Sequence, residues 1–284
     1  PNEHEYKVMG LAANVSEEYI KDALKAFENT WYFDDLDGEV KCRELPKDSY
    51  FYFKDKLEGV RFDTIAGALQ KYSENMITGL VDYWAKKLDK RQVVLSGGVS
   101  LNIKANMHIG ELESIDEIFV PASGGDESLC IASIYAYLDQ KLKSNDIKLL
   151  DTMYLGTNHN IKDIKIKVNN FIKNKNYKVS FNATNKDVAR LLADGKVVGR
   201  FVGKMEFGAR SLGNRAILAD PSQKDIVRII NSKIKKRDFW MPFTPSIIDF
   251  KENEYLINPK KNKFPFMTVA CNTTKKAHKD IFGA

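Results

Sequence analysis

Two short apolar runs, each followed by a pair of glycines, constrain the fold of this chain more than any other feature of its sequence. Residues 92–95 and 117–120 are apolar runs without helical spacing, and such runs predict buried strands. Paired glycines follow at Gly97-Gly98 and Gly124-Gly125. A helical pattern then follows each pair, so that strands alternate with helices, and we predict a fold of the α/β class.

The remaining elements are predicted from periodicity. Apolar residues at three-to-four spacing over 63–88 predict a long amphipathic helix that covers a core with one face. Shorter helices are expected at about 100–112, 127–142, 161–173, 185–194 and 222–236. Ser222-x-x-Asp225 resembles a capping box at the start of the last of these, with Asp in place of Glu or Gln. Strands are expected in the second half at 153–155, 177–181, 196–202 and 216–218, and a proline-braced aromatic strand at about 239–245.

A polar stretch around 141–151 is the candidate domain boundary. The chain has 284 residues and 43% hydrophobic content, which is enough for two domains that each bury a core. We therefore expect one domain over 1–145 and a second over 151–284.

Composition argues against several classes of protein. No run approaches the ~20 apolar residues of a membrane-spanning helix, and the first residues lack the features of a signal peptide, so we expect a cytoplasmic protein. The 44 basic and 38 acidic residues give a net charge of +6, spread along the chain. This balance favours anionic small molecules, such as nucleotides or sugar phosphates, over nucleic acid as partners.

Cysteine and histidine positions predict neither disulfides nor a zinc cluster. Cys42, Cys130 and Cys271 lie far apart without paired spacing, so we expect reduced core residues. No histidine lies near Cys130 in sequence, which favours a core role for it over a nucleophilic one. The four histidines fall in unrelated contexts, so we expect no histidine metal site within this chain.

The two glycine turns are candidate ligand sites. Paired glycines at the end of a strand, with a helix start close behind, suit phosphates and adenosine at Gly97-Gly98, with Asn102 and Asn106 one helical turn apart nearby. The alternative for this segment is a structural turn. After the second turn, Asp126 is well placed to hold a metal or to orient phosphates, or else to cap the following helix.

Two basic segments are candidate anion sites. The loop over 204–215 combines Arg210, Arg215, an acid and glycines, and arginine forks match phosphate and carboxylate oxygens; the alternative is a solvated surface loop. The segment from Asn231 places Lys235, Lys236 and Arg237 at a helix end, where basic side chains would also stabilise the helix dipole.

Taken together, these segments resemble the NodU/CmcH-type O-carbamoyltransferases, and the resemblance covers nearly the whole chain in the family's order. The motifs that carry it are Lys7-Val8-Met9-Gly10-Leu11-Ala12, Gly97-Gly98-Val99-Ser100-Leu101-Asn102, Met205-Glu206-Phe207-Gly208-Ala209-Arg210-Ser211-Leu212-Gly213-Asn214-Arg215, Lys235-Lys236-Arg237 and Pro242-Phe243-Thr244-Pro245-Ser246. Ala209 stands where the family has proline.

The resemblance implies a two-site enzyme. Residues 1–145 would be the C-terminal part of an actin-like (ASKHA) domain that transfers the carbamoyl group to a hydroxyl acceptor. Residues 151–284 would be the N-terminal part of a YrdC-like domain that makes carbamoyl-adenylate from carbamoyl phosphate and ATP. The acceptor class is a sugar, a polysaccharide or an antibiotic, and a homodimer is compatible with the family.

The resemblance also implies roles for particular residues. Lys235 and Arg237 match the Lys-x-Arg of YrdC-like sites and would hold triphosphate and carbamoyl oxygens, and Arg210 and Arg215 would line the same anion site. Asp126 matches a ligand of a divalent metal, iron or similar, whose partner histidines would lie outside this chain. The implied nucleotide-binding set is Lys7, Gly97, Gly98, Val99, Asn102 and Asn106.

Departures from the family pattern lead us to expect a fragment. The family's His-rich motif and its Ser-Phe-Asn segment are both missing from these residues, so we expect weak nucleotide binding and no turnover by this chain alone. Three other functions stay open: a tRNA threonylcarbamoyl-transfer protein, a non-catalytic nucleotide-binding module, and an actin-like sugar kinase. The Met-Glu-Phe-Gly-x-Arg loop argues against the first of these.

Overall fold

The N-terminal part of the molecule is arranged around one long helix. The structure is a computed structural model that describes residues 4–143, 146–148, 150–173 and 175–281. The helices of this part are α1 (Glu5–Ala12), α2 (Lys21–Glu28), α3 (Ser49–Leu57) and α4 (Phe62–Leu88), and an antiparallel hairpin of β1 (Trp31–Asp34) and β2 (Glu39–Cys42) lies between α2 and α3 in the chain. The long helix predicted over 63–88 is confirmed as α4, and both α1 and α2 pack on it.

Helix α4 contributes to two apolar cores. Its first half places Ala68, Leu69 and Tyr72 against Phe27 of α2. Its second half packs against a second core formed by Ile109, Ile115, Ile118 and Val120. Both contacts follow from one stripe of apolar residues at three-to-four spacing. Truncating the fully buried Ile109 to Ala would cost about 2–5 kcal/mol, because the cavity cannot fully collapse.

A strand–helix–strand unit follows α4 and confirms the α/β prediction. Strand β3 (Gln92–Val94), helix α5 (Ile103–Glu111) and strand β4 (Glu117–Phe119) are connected so that β3 and β4 pair in parallel, with Val93 opposite Ile118. A 3₁₀ turn over Gly98–Leu101 precedes α5. After β4, a 3₁₀ turn over Asp126–Ser128 leads into α6 (Leu129–Lys141).

The C-terminal part contains short elements. They are α7 (Ile161–Ile172), α8 (Asn185–Ala193), the antiparallel pair β5 (Val198–Phe201) and β6 (Arg215–Leu218), α9 (Ile226–Ile229) with a π-helical turn over Ile230–Lys235, a 3₁₀ turn over Asp249–Lys251, α10 (Glu252–Tyr255), the antiparallel pair β7 (Leu256–Ile257) and β8 (Asn272–Thr273), and α11 (Lys275–Asp280). None of the helices in the described part of the chain combines the length and the apolar content that crossing a membrane requires.

The last described residues pack against the strand–helix–strand unit of the first part. Ala270 donates its N–H to the carbonyl of Ile103 at 3.0 Å, and Thr268 donates its hydroxyl to the carbonyl of Val120 at 3.1 Å. Lys260 donates to the carbonyl of Ile115 at 2.7 Å, just beyond the end of α5. The two predicted domains therefore share contacts across 256–281. The boundary itself stays a prediction, and Ser144 and Asn145 in the predicted boundary stretch lie outside the described residues.

Three predicted strands are wrong. Residues 153–155 form no strand, although the carbonyl of Met153 accepts from the N–H of Phe207 at 2.7 Å. Residues 177–181 have no partner strand, and their apolar side chains are exposed. Residues 239–245 form no strand because their carbonyls bind side chains: those of Met241 and Pro242 accept from Asn231 and Arg237.

Two further predictions need correction. The capping box at Ser222 is wrong, because Asp225 is the N-cap of α9 and its side chain makes no cap bond. The capping box in the structure is at Thr184 and Asp187, at the start of α8. The cysteines are free, but the core role predicted for them is wrong: Cys42 and Cys130 are exposed and Cys271 is half-buried.

Candidate functional site

The two glycine turns lie side by side at one edge of the β3–β4 pair. Parallel strands end at the same edge of a sheet, and ligands of open α/β sheets bind at the carboxyl ends of the strands. The backbone at Gly97 has φ of +93°, which only glycine adopts without strain. A Cβ on Gly124 would lie 3.1 Å from the Gly97 carbonyl oxygen. The structure thus brings together two turns that the sequence predicted separately.

Asn106 holds the first turn from inside the protein. Its side chain is 1% exposed, and its Nδ2 donates to the carbonyls of Ser100 and Thr268, both at 2.7 Å. Both donor hydrogens are therefore used within the protein. This geometry makes Asn106 a support for the turn, and ligand contact by its side chain stays a prediction.

The other predicted members of the nucleotide set in this turn lie closer to solvent. Gly98 and Val99 are exposed at the start of the 3₁₀ turn. Asn102 is the N-cap of α5, and its Oδ1 accepts from the N–H of Ala105 at 3.1 Å. The 3₁₀ turn and the following helix therefore present backbone N–H groups and one asparagine side chain at the sheet edge.

Asp126 begins the 3₁₀ turn that follows the second glycine pair. Its side chain is exposed, and it neither caps the turn nor has a hydrogen-bond partner among the described residues. No group of three His, Cys, Asp or Glu side chains in the described ranges could hold a metal ion. The residues described here do not by themselves fit a metal, so the metal role of Asp126 stays a prediction and no chemical step is derived through it.

The acid next to Asp126 in sequence has a partner. Glu127 accepts a short hydrogen bond from the hydroxyl of Ser123. This bond lowers the pKa of the Glu127 carboxyl below its ordinary value. The charged carboxylate of Glu127 therefore holds Ser123, which directly precedes the second glycine pair.

The arginine-containing loop is organised by Glu206. Its Oε1 accepts from the backbone N–H groups of Leu212 at 3.1 Å, Asn214 at 2.5 Å and Arg215 at 3.0 Å. Burial alone raises the pKa of the Glu206 carboxyl, but the three backbone donors outweigh it and the pKa is lowered. No role was predicted for Glu206 from the sequence, although an acid among glycines offers a carboxylate to free backbone N–H groups.

Arg215 belongs to the framework of this loop. Its guanidinium donates to the carbonyls of Val202 at 2.6 Å and Gly203 at 3.1 Å. It also lies over the ring of Phe201, 3.6 Å from the centroid. These contacts fix the two ends of the loop relative to each other, and anion binding by Arg215 stays a prediction.

The loop touches the second glycine turn through Gly208. Its φ is +120°, and a Cβ there would lie 2.6 Å from the carbonyl oxygen of Ala122, just before the turn. No larger residue fits without moving one of the two segments. Arg210 follows Gly208 by two residues on the same loop.

Arg237 is held in place by neutral groups. Its Nε donates to Oδ1 of Asn231 at 2.6 Å and its second terminal nitrogen donates to the carbonyl of Pro242 at 3.1 Å, while the ring of Phe243 lies 4.4 Å from the guanidinium carbon. Asn231 is itself buried and donates to the carbonyl of Met241 at 2.9 Å. No role was predicted for the Asn231 side chain from the sequence, and its position six residues before Arg237 was the available signal.

The Arg237 guanidinium also lies within electrostatic reach of another cation, Arg210. Burial lowers the pKa of Arg237, Tyr6 raises it, and the charge of Arg210 lowers it further. Arg210 and the exposed Lys235 have no hydrogen-bond or ion-pair partner among the described residues. Arg210 thus lies within electrostatic reach of Arg237, and Lys235 precedes Arg237 by two residues in the chain. None of these three cations pairs with a carboxylate among the described residues, which favours an anionic ligand.

Lys7 lies beside this cluster and not in the glycine turn. Its Nζ is 2.9 Å from Oδ2 of Asp238, and the hydrogen bond to Asp238 raises the pKa of Lys7. Gly10, three residues later, is buried, and a Cβ on it would lie 3.4 Å from the sulfur of Met241. Helix α1 therefore braces the segment that carries Arg237, and nucleotide contact by Lys7 stays a prediction.

Comparison with known proteins gives two matches to family models. The model described as carbamoyltransferase N-terminus matches residues 1–134, and the one described as carbamoyltransferase C-terminus matches residues 189–284. Together they cover most of the chain, including every candidate site residue named above.

Similar curated proteins come from archaea and bacteria. An uncharacterized protein of Methanocaldococcus jannaschii is 32% identical over 300 aligned positions, which cover 100% of this chain and 54% of the relative. Nodulation protein NolNO of Sinorhizobium fredii is 27% identical over 99% of this chain and 42% of its own length. Nodulation protein NolO of Bradyrhizobium diazoefficiens is 25% identical over 99% and 52%. The chain thus spans about half the length of the curated relatives it matches.

Proposed function

Because the chain belongs to the carbamoyltransferase family, we propose that it serves an O-carbamoyltransferase that uses carbamoyl phosphate and ATP to carbamoylate a hydroxyl. The observation that carries this proposal is that Arg210 lies within electrostatic reach of Arg237, and that neither arginine, nor Lys235 two residues before Arg237, pairs with a carboxylate among the described residues. Carbamoyl phosphate and ATP are both polyanions, and arginine forks bind phosphate and carboxylate oxygens in two-point geometry.

The proposed chemistry proceeds in three balanced steps. Water cleaves carbamoyl phosphate to carbamate and inorganic phosphate. The carbamate oxygen then attacks the α-phosphorus of ATP, and the bond to the leaving pyrophosphate breaks, which gives carbamoyl-adenylate. Finally, the acceptor hydroxyl attacks the carbamoyl carbon, loses its proton, and displaces AMP. Charge develops on the phosphoryl oxygens in the second step, where fixed cations stabilise it most.

The residues of this chain would divide these tasks. Arg237, fixed by Asn231 and the Pro242 carbonyl, would hold phosphate oxygens without reorganising, and Arg210 and Lys235 would add positive charge beside it. Removing one charged hydrogen-bond donor of this kind costs about 1.5–3 kcal/mol of binding. The turn over 97–102 would hold a nucleotide through its backbone N–H groups at the sheet edge.

The acceptor and the metal belong to the same proposal. The acceptor would be a hydroxyl of a sugar, a polysaccharide or a natural product. A divalent metal, if bound through Asp126 together with histidines from outside this chain, would polarise the carbamoyl carbonyl as a Lewis acid.

Binding is the first test. ATP and inorganic pyrophosphate are titrated calorimetrically into the wild-type chain and into Arg237→Ala, Arg210→Ala and the matched control Arg228→Ala. Arg228 is exposed on α9 and pairs with Asp225. We expect the first two variants to bind at least about tenfold more weakly, a loss of about 1.4 kcal/mol, and the control to bind normally. Equal binding by all four proteins would contradict the proposal.

Turnover is the second test. A full-length carbamoyltransferase that carries these residues is incubated with ATP, with and without carbamoyl phosphate. Pyrophosphate release that requires carbamoyl phosphate and both Lys235 and Arg237 supports the proposal. Release of ADP with a phosphorylated acceptor would instead support a kinase, and no product at all would support a non-catalytic binding module.

A further inference from the structure

A chain of polar side chains behind the first glycine turn has no role in the function proposed above. Gln70, on α4, donates from Nε2 to Oδ1 of Asn102 at 2.9 Å and to Oε1 of Glu74 at 2.8 Å. Asn102 donates from Nδ2 to Oε1 of Gln70 at 3.2 Å. The two amides therefore form a reciprocal pair, with Glu74 on one side and the N-cap of α5 on the other.

The two ends of this chain fix the orientation of both amides. A carboxylate only accepts hydrogen bonds, so Gln70 must turn Nε2 toward Glu74. A backbone N–H only donates, so Asn102 must turn Oδ1 toward Ala105. Each requirement is satisfied by the same arrangement of the Gln70–Asn102 pair. A flip of either amide would place two acceptors or two donors against each other.

Glu74 is a firm anchor for this arrangement. Its side chain is buried, with 8% relative exposure for the residue. Its second oxygen lies 3.5 Å from Nε2 of His108, whose Nδ1 lies 3.4 Å from Oε2 of Glu111. Glu111 in turn accepts from Nδ2 of Asn272 at 2.8 Å. The anchor is therefore connected to α5 and to the C-terminal segment as well as to α4.

The Asn102 side chain has one hydrogen-bond donor left for a ligand. Its Oδ1 already accepts two hydrogen bonds, from Ala105 and from Gln70. Its Nδ2 uses one of two hydrogens on Gln70. One N–H remains, and Asn102 is only half-buried at the sheet edge. A ligand atom that binds this side chain must therefore be an acceptor.

We propose that Gln70 is a positioning residue for nucleotide binding: anchored by Glu74, it holds the Asn102 amide so that its remaining N–H meets an acceptor atom of the nucleotide. This inference rests on the proposed function, because it takes the turn over 97–102 as the nucleotide site. It adds the direction of the hydrogen bond and two residues, Gln70 and Glu74, that sequence reasoning left unassigned.

The first measurement tests the hydrogen bonds of the Gln70–Asn102 pair in the absence of a ligand. Gln70→Met keeps the length of the side chain and removes its polar atoms; Gln92→Met is the matched control, since Gln92 also pairs with a glutamate, Glu117, at the opposite end of β3. Side-chain amide exchange of Asn102 is measured by NMR without nucleotide. We expect about tenfold faster exchange in Gln70→Met, at unchanged far-UV circular dichroism, and no change in the control.

ATP affinity is then measured on the same proteins. We expect Gln70→Met to bind about threefold to tenfold more weakly, the loss of one oriented hydrogen bond. In an Asn102→Ser background, which retains a good N-cap but has no side-chain amide, Gln70→Met should have no further effect on affinity. A general structural role of Gln70 would not make its effect on ATP affinity depend on Asn102 in this way.

Three outcomes would overturn the proposal: unchanged Asn102 exchange in Gln70→Met, unchanged ATP affinity despite faster exchange, or an equal loss of affinity in the Asn102→Ser background. Absence of ATP binding by the wild-type chain would instead overturn the proposed function. In that case the exchange measurement, made without nucleotide, still decides whether the Gln70–Asn102 pair exists.

Discussion

The first glycine turn and the arginine loop are both held by one polar side chain, but the two side chains have opposite chemistry. Asn106 holds the turn by donating to carbonyls. The N–H groups of Ser100 and Asn102 bond to carbonyls within the turn, and those of Gly98 and Val99 lie at its exposed start. Glu206 holds the loop by accepting from three backbone N–H groups, so the loop offers a ligand its side-chain cations instead. The turn thus offers a ligand backbone donors, whereas the loop offers it the side-chain charge of Arg210.

The largest expected effect comes from reversing the chemistry at the turn. Asn106→Asp places a buried carboxylate against two carbonyl oxygens, and an unpaired buried charge costs about 3–5 kcal/mol. Urea denaturation measures the loss. Asn75→Asp, at an exposed position of α4, should change stability by less than about 0.5 kcal/mol. Equal stability of the two variants would show that the turn does not depend on donation by Asn106.

A smaller loss is expected from neutralising the support of the loop. Glu206→Gln retains an acceptor but removes the charge from three hydrogen bonds, and we expect a loss of about 2 kcal/mol at neutral pH. Glu113→Gln, at an exposed position beyond α5, is the control. The loop would have to be held by other contacts if both variants unfold at the same urea concentration.

The pH dependence of that difference follows from the lowered pKa of Glu206. A carboxyl whose pKa is lower in the folded than in the unfolded protein stabilises the fold above its ordinary pKa of about 4.5, and this contribution is lost as pH falls through the lower folded value. The stability gap between wild type and Glu206→Gln should therefore be full at pH 6 and narrow steadily below pH 4.5. Urea midpoints of both proteins at several pH values measure this gap. A gap that widens in acid would contradict the lowered pKa of Glu206.

The smallest expected effect is the salt dependence of ATP affinity. It distinguishes binding by the glycine turn from binding by the arginine loop most directly. Ligand binding by exposed cations weakens as salt screens them, whereas binding by backbone donors is less sensitive. ATP affinity of the wild type should therefore fall between 50 and 300 mM salt by roughly threefold, and Arg210→Ala should show a shallower dependence. Parallel salt curves for the two proteins would assign Arg210 no share in binding.

The segments of the site could be predicted from the sequence, but the contacts between them could not. Hydrophobic runs and paired glycines predict β3, α5 and β4 because these signals are local. The contact of Gly208 with Ala122 and the pairing of Lys7 with Asp238 join residues far apart in sequence, and nothing local encodes them. The family resemblance, now confirmed by matches to both halves of the chain, placed the motifs in one enzyme without giving their geometry.

The errors in secondary structure have a related cause. An apolar or aromatic run such as 239–245 has strand propensity, yet a strand needs a partner that takes its carbonyls. Here Asn231 and Arg237 take them first, and two prolines remove N–H groups. Similarly, the roles of Glu206 and Asn231 depend on hydrogen bonds to backbone groups and, for Asn231, to the side chain of Arg237, which sequence spacing does not show.

Packing of residues 256–281 on the strand–helix–strand unit has a consequence for synthesis on the ribosome. Lys260 and Thr268 bind carbonyls of the unit at separations of 145 and 148 residues. At about 5–20 residues per second, the unit waits roughly 7 to 30 s for the segment that closes its core. During that interval the edge that carries Ile115 and Val120 is open to chaperones, and a pause in translation after β4 would lengthen its exposure.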